Sequence, residues 1–356
     1  MSDPVVAALR ADCESAITDV AKLVELRGQR ILVTGGTGFM GSWIAEMVAW
    51  LNDSHDMGVD LLLLSPSASG FADRVPHLAS RSDITLIERD VRDIDELPKG
   101  VTHVIHAAGT PDNRVHVTDP LGTMSTIARG TSAVMHAAAA SLALRKVLNV
   151  SSGLVYGAQA LDMARMPESH AGGPDPASIN AIYAEAKRYA EAEAAAWRST
   201  DKLPVVTARP FAFIGPYQGL DKPWAVNNFL RDALLGVPIR ILGDAGTVRS
   251  YMYPSDMAFW LLAILAEGVP GTAYNVGSPD AITLGELAER IAASFDNPPP
   301  IVRRPLGQPR VTRFVPDVSR AQSTLGLRVT VDLDRAIERT LAWHRAAGAG
   351  DSQCGR

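Results

Sequence analysis

Three residues have the types and spacing of a proton-transfer site. Tyr183 and Lys187 lie four apart in a helical pattern running from Ile182 to Trp197, which puts both side chains on one helix face. Ser152 follows an apolar run, Lys146 to Val150, so it sits just past the carboxyl end of a buried strand, where ligands bind in open α/β sheets. A phenol titrates near ~10 in isolation, and a lysine cation beside it lowers that value. Such a tyrosine can take the proton of a substrate hydroxyl while Ser152 hydrogen-bonds the same hydroxyl. A Tyr-x-x-x-Lys pair alone also arises on ordinary amphipathic helix surfaces, so the assignment depends on what lies upstream.

Upstream, Gly35, Gly38 and Gly41 follow the apolar run Ile31 to Val33 and precede a helical pattern from Trp43 to Leu51. Strand, glycine turn and helix form a seat for a dinucleotide pyrophosphate. The glycines allow the tight turn and close backbone approach, and the helix N-terminus offers free N–H groups and partial positive charge. Gly35, Gly38, Phe39, Met40 and Gly41 are the candidate contacts. With an oxidised nicotinamide at hand, hydride can leave a sugar carbon as Tyr183 takes the hydroxyl proton. The strand Val59 to Leu64 ends at Ser65-Pro66-Ser67, without the acid that usually holds the ribose hydroxyls of NAD. Ser65 and the nearby Arg74 would tolerate a 2′-phosphate, so NADP stands beside NAD, the first choice.

The elements that must position these residues alternate strand and helix. Ile84 to Ile87 leads to Asp90-Val91, and Val101 to Ile105 leads to His106-Ala107-Ala108-Gly109, whose small residues let backbone approach a cofactor. His106 reads as a packed strand-end histidine. A helix follows from Thr123 to Leu142. This alternation indicates an α/β fold, a doubly wound parallel Rossmann-like sheet, with a smaller C-terminal α/β lobe. The expected division is a helical extension over 1–27, a dinucleotide-binding domain over 28–210, an interleaved substrate lobe over 211–348 and a flexible tail over 349–356. In the extension, Val6, Leu9, Cys13, Ile17, Val20 and Val24 repeat at helical spacing between Asp3-Pro4 and Gly28. In the lobe, Asn227–Leu235, Ser255–Glu267, Leu284–Phe295 and Val331–His344 read as helices, and Ile239–Leu242 as a strand. Trp224, Trp260 and Trp343 read as packing anchors.

The 356 residues are 47% hydrophobic and 21% charged, ordinary for a soluble globular chain. A net charge of -5 argues against a nucleic-acid binder. Two cysteines, Cys13 and Cys354, are too few for a disulfide framework. No apolar run reaches membrane length, and the N-terminus has no basic-then-apolar signal pattern, so a cytoplasmic location is expected. No metal is expected.

Together these motifs resemble the extended short-chain dehydrogenase/reductase family, the NAD(P)-dependent nucleotide-sugar epimerases and dehydratases. The resemblance rests on Gly-Gly-Thr-Gly-Phe-Met-Gly (35–41), Asp90-Val91, His-Ala-Ala (106–108), Ser-Ser-Gly-Leu-Val-Tyr-Gly (151–157) and Tyr-Ala-Glu-Ala-Lys (183–187). Arg-Pro-Phe-Ala-Phe-Ile-Gly-Pro (209–216), Gly-Asp-Ala-Gly-Thr-Val-Arg-Ser-Tyr (243–251) and Tyr-Asn-Val-Gly-Ser (274–278) extend it. It implies cofactor contacts at Asp90, Val91, Ala107, Ala108, Tyr183, Lys187 and Pro210. It also implies that residues 209–216 close over the nicotinamide end. A nucleoside-diphosphate sugar would bind the C-terminal lobe through Ser152, Asn228 beside Phe229, and Arg249 as a diphosphate clamp, with Arg313 a second candidate; forked, charge-assisted pairing suits arginine to that task. The resemblance further implies a homodimer, built on the helices Thr123–Leu142 and Ile182–Trp197.

The departures narrow the reaction. Relatives that dehydrate a hexose commonly have Asp and Glu after the catalytic Ser or Thr, and relatives that decarboxylate a uronic acid have a Glu; here Gly153 and Leu154 stand there. Neither transfers a proton. The expectation is oxidoreduction at C4, as a 4-epimerase or 4-keto reductase. The alternative is a dehydratase or decarboxylase that recruits acids from elsewhere, with Glu168 as a conceivable donor. A reading of a different class, a non-catalytic dinucleotide sensor, is opposed by the intact Ser152, Tyr183 and Lys187. Thr126 stands where the family often has Asn in the central helix, and the loop from Pro174 to Asn180 is slightly long.

Overall fold

The computed structural model describes residues 3–305, 308 and 311–351. Strands β1 (Arg30–Thr34), β2 (Asp60–Ser65), β3 (Ile84–Glu88), β4 (His103–His106), β5 (Lys146–Val150) and β6 (Val205–Pro210) come first. They are followed by β7 (Ile239–Ile241), β8 (Val248–Arg249), β9 (Ala273–Val276), β10 (Ile282–Thr283), β11 (Ile301–Arg303) and β12 (Arg313–Phe314). Helices α1 (Asp3–Ala16), α2 (Phe39–His55), α3 (Ser69–Arg74), α4 (Pro76–Ala79), α5 (Asn113–Thr118), α6 (Pro120–Ala139) and α7 (Ile182–Thr200) precede β6. Helices α8 (Ala225–Leu234), α9 (Pro254–Glu267), α10 (Leu284–Ala293), α11 (Ser319–Leu325) and α12 (Leu333–Asp351) follow it.

The main sheet has seven strands in the order β3-β2-β1-β4-β5-β6-β9. Every pair in it is parallel. Runs such as Leu61 to Leu64 are apolar throughout because helices cover both faces. The strand order reverses between β1 and β4, which opens a crevice outside their carboxyl ends, the place where ligands enter this architecture. The last strand of the sheet, β9, comes from the region read as the substrate lobe, so the chain returns to the sheet after leaving it. The lobe's own strands form a β10-β8-β12 sheet and a β11-β7 pair.

Helix α9 is buried on all sides from Pro254 to Ala266, as its apolar run from Met257 onward requires, with Asp256 at its start bonded to Thr330. The N-terminal segment differs from the single amphipathic helix expected. Helix α1 stops at Ala16, and Asp19 caps a separate 3₁₀ turn, Val20–Leu26, by accepting a hydrogen bond from the Ala21 N–H. The break resets the phase: Val5, Leu9, Cys13, Ala16, Leu23 and Leu26 are buried, whereas Val24 is 57% exposed. Asp12 pins α1 to the body, accepting from the Tyr253 hydroxyl at 2.5 Å and pairing with Arg339 at 2.7 Å. At the other end α12 runs to Asp351, so 349–351 is helix rather than tail; residues 352–356, with Cys354, lie outside the described residues. No helix among the described residues is long and apolar enough to cross a membrane.

Candidate active site

The glycine turn lies at the sheet's reversal. Gly35 has φ +69°, and a Cβ on it would stand 2.8 Å from the Ala107 carbonyl oxygen. A Cβ on Gly41 would stand 2.1 Å from the Gly36 oxygen. The turn therefore fits only if these positions stay bare, and it brings the ends of β1 and β4 together. Gly38 is the N-cap of the 17-residue α2, with no side chain capping its N–H groups, and Phe39, Met40 and Gly41 form the first turn. That arrangement fits a dinucleotide's pyrophosphate. Ser65 is buried at the end of β2, its Oγ accepting from the Ser67 N–H at 3.4 Å. Arg74 donates to the Thr37 carbonyl on the glycine turn and lies over the Phe71 ring. Asp90 is turned to Arg92, whose hydrogen bonds hold its carboxyl below the usual range. Val91 packs against α6 at Gly130, where a Cβ would come within 2.7 Å of its Cγ1.

Ser152, Tyr183 and Lys187 come together at the carboxyl ends of β4 and β5. Ser152 caps the 3₁₀ turn Gly153–Tyr156 through the Leu154 N–H at 3.2 Å and lies beside the Tyr183 phenol. Lys187 Nζ donates to the Val150 carbonyl at 2.8 Å and the Ala108 carbonyl at 3.5 Å, and lies 5.9 Å from the centre of the Tyr183 ring. Burial pulls the Lys187 ammonium down to about 8, with Glu191 opposing the shift. Burial also pushes the Tyr183 phenol up to about 12, offset in part by Ser152. The sequence led us to expect the phenol lowered by its lysine. In the protein alone desolvation wins, because both groups are enclosed and Lys187 is spent on main-chain carbonyls. His106 is a packing residue, bonded to Thr34 and Thr131 and pushed down to about 3 by burial and Lys187.

On the central helix Ile127, one residue beyond Thr126 and about 100° round the helix, packs with Tyr183, Ala186 and Ala190. Two further features escaped the sequence reading. The ring of His116, on α5, stacks on Tyr183 at 4.7 Å. Arg209 joins Glu191 at 2.5 Å and the Tyr156 hydroxyl at 2.9 Å, and Tyr156 donates to Asn275 at 2.8 Å. Glu191, four beyond Lys187, was within reach of the same spacing argument; His116, on a six-residue helix, carried no signal.

Beyond the end of β5, Phe211 lies against Gly153, where a Cβ would come within 2.7 Å of its ring, and Phe314 stacks on Phe211 at 4.4 Å. Arg249 pairs in register with Phe314, so the two share a sheet face, while Arg313 pairs with Val248 on the other face. Arg249 donates to the Val248 and Thr312 carbonyls and to the Thr312 hydroxyl at 3.0 Å. Arg313 donates to the Ala164 carbonyl at 3.3 Å. Asn228 is half-buried in the first turn of α8; Asn227 beside it is buried and bonded to the Gly219 carbonyl. Pro210 ends β6, next to Phe211. The Glu168 carboxylate accepts the Asn275 N–H at 3.0 Å and faces Arg320, which ties it to β9. Among the described residues no cluster of His, Cys, Asp or Glu is arranged to hold a metal.

Residues 31–277 match the model of a family described as the NAD-dependent epimerase/dehydratase family. UDP-glucuronic acid decarboxylase 2 of Arabidopsis thaliana is 28% identical over 335 residues, covering 92% of this chain and 71% of that protein. The crystal structure of DesIV, a dTDP-glucose 4,6-dehydratase from Streptomyces venezuelae with NAD bound, superposes with a TM-score of 0.77 at 24% identity, over 90% of this chain and 98% of that one. UDP-glucose 4-epimerase from Thermotoga maritima, with UDP-glucose, superposes with a TM-score of 0.76 at 22% identity, over 90% of this chain and 99% of that one.

Proposed function

The chain belongs to the NAD-dependent epimerase/dehydratase family, and from that premise we propose that it oxidises a nucleoside-diphosphate sugar at C4. The observation that carries this reading is the Ser152–Tyr183–Lys187 cluster at the sheet's crevice, beside a glycine turn that fits a pyrophosphate. NAD is the cofactor of the family, and when bound it accepts and returns hydride. Tyr183 takes the C4 hydroxyl proton, Ser152 holds that hydroxyl, and Lys187 fixes the ends of β4 and β5 around them. Arg249 and Asn228 would take the nucleotide diphosphate, and Pro210 with the segment after it would cover the nicotinamide.

Two fates of the 4-keto sugar remain, each with an observation behind it. Gly153 and Leu154 offer no acid or base in the turn after β5, and the Glu168 carboxylate is bonded to the Asn275 N–H, which favours epimerisation or 4-keto reduction. The named decarboxylase and dehydratase relatives favour loss of a group from the keto sugar. The site's own residues make C4 epimerisation or reduction our reading. A cytoplasmic homodimer, paired through α6 and α7, belongs to the same proposal.

Turnover of UDP-glucose, UDP-glucuronate and dTDP-glucose in heavy water tests it. The expected product has unchanged mass, no carbon-bound deuterium and an inverted C4 centre; a reductase would consume reduced cofactor stoichiometrically and leave C5 unlabelled. A product lighter by water or carbon dioxide, with deuterium at C5, would establish the second fate and overturn the first.

A further inference from the structure

The ring that lies face to face with Tyr183 belongs to His116. It is 4% exposed, its centroid is 4.7 Å from that of the phenol, and the planes are 7° apart. His116 is itself held. Its Nε2 meets the Thr110 carbonyl at 2.8 Å, and a carbonyl only accepts, so Nε2 carries the hydrogen. Its main-chain N–H donates to the Asp112 carbonyl. The apolar residues clustered with Tyr183 are Ile127, Ala186 and Ala190, which present no flat surface to the ring, and Lys187 Nζ stands 5.9 Å from its centre.

The orientation of this ring has chemical consequences. A phenolic O–H bond lies in the ring plane by conjugation, so the plane fixes the directions in which Oη gives and takes a proton. Hydrogen bonds weaken steeply off line, and proton transfer needs aligned partners. Tyrosine's own torsion to the ring is broad, so some neighbour must choose the plane.

We propose that His116 is a positioning residue for Tyr183: its imidazole, anchored on Thr110, sets the plane of the phenol so that Oη addresses Ser152 and the substrate hydroxyl together. The role is that of a flat, fixed surface, and a phenyl ring fulfils it. The loop after β4 thereby holds both partners of the site, through Thr110 to His116 and through Ala108 to Lys187.

The inference rests on Tyr183 as the base of the proposed reaction, so its test has a readout that needs no substrate. In the NAD-loaded protein with ring-labelled tyrosine, the Tyr183 signals are identified by their loss in Tyr183→Phe. They should show two distinct ring edges in the wild type and in His116→Phe, and one averaged edge in His116→Ala. Averaged edges in the wild type would overturn the proposal. With substrate, His116→Ala should lower kcat about tenfold with KM within about twofold, and His116→Phe should restore kcat to within about threefold of wild type. A Phe variant as slow as the Ala variant, or an Ala variant of normal kcat, would also overturn it. Unchanged NAD affinity in both variants, by calorimetry, shows that they are folded. If no nucleotide sugar is turned over by the wild type, the reaction reading fails while the ring spectra still decide the stacking.

Discussion

The two sides of the cleft are built differently. On the dinucleotide side the atoms are committed before anything binds: Gly35 abuts Ala107, Lys187 is fastened to two carbonyls, and Tyr183 is enclosed against Ser152 and His116. On the sugar side the charged groups rest on neutral acceptors. Arg249 leans on main-chain carbonyls and Thr312, which an anionic diphosphate would displace. The ring pair Phe211–Phe314 covers Gly153, and Leu154 beside it is 44% exposed. The difference teaches where specificity resides. In the proposed reaction, hydride chemistry would rest on the sheet ends, whereas the fate of the oxidised sugar would depend on a few side chains contributed by the turn after β5 and by the β8–β12 face.

The largest effect expected is on the committed side. Tyr183→Phe keeps the ring and its stack but removes the proton acceptor. Turnover should fall by at least about 10²-fold with NAD binding retained. A variant with near-normal steady-state rates would break the comparison at its root.

On the other side, Arg249→Ala should raise KM for the nucleotide sugar by about tenfold or more, since a hydrogen bond to a charged group contributes about 1.5–3 kcal/mol. Arg313→Ala should change KM by less than about threefold, because that side chain lies on the opposite sheet face. If initial-rate measurements reverse this order, the nucleotide lies on the Arg313 face.

How much of this was legible depended on what kind of contact was involved. The glycine turn, the strand ends and the Tyr183–Lys187 pair were readable because they depend on local spacing and backbone sterics. His116 was not, since its partner is Tyr183, brought to it only by the packing of α5 beside the start of α7. Ile127 carried no signal of its own, since its place against Tyr183 depends on the packing of α6 on α7. The N-terminal break was missed because the apolar spacing runs on through Asp19, whose cap decides the matter. Glu168 looked available in sequence, and only the fold shows it occupied by Asn275.

A third measurement probes how the committed side costs stability. Lys187 titrates at about 8 in the folded protein, against about 10.4 in an unfolded chain. Between those values the unfolded chain holds a proton that the folded one lacks, so stability rises with pH across the window. Below about 8 the penalty of the buried charge is fully present. Lys187→Met has no such term. Denaturant melts should therefore show the wild type gaining on the variant as pH rises through the window, by on the order of 1–3 kcal/mol, whatever their offset at neutral pH. A difference independent of pH would mean that Lys187 keeps an ordinary affinity for its proton.

The smallest effect concerns the far end of the committed side, where commitment is least. Ser65 ends β2 with a hydroxyl, and Arg74 is held on the glycine turn nearby. An acid at this strand end grips the ribose hydroxyls of NAD and repels a 2′-phosphate; a hydroxyl with a neighbouring arginine does neither. Ser65→Asp should therefore weaken NADP by about five- to tenfold through charge repulsion and change NAD by less than about twofold. Calorimetric titration with both cofactors reads the two affinities on one preparation. Raising the salt should shrink the NADP penalty, since part of the repulsion crosses solvent. Arg74→Ala supplies the reciprocal: it removes the cation that would meet a 2′-phosphate and should also weaken NADP selectively. If Ser65→Asp shifts NAD and NADP equally, residue 65 does not face the adenosine ribose. The cofactor's adenosine end would then lie off the β2 edge, and the boundary between committed and adjustable parts of the cleft would have to be drawn elsewhere.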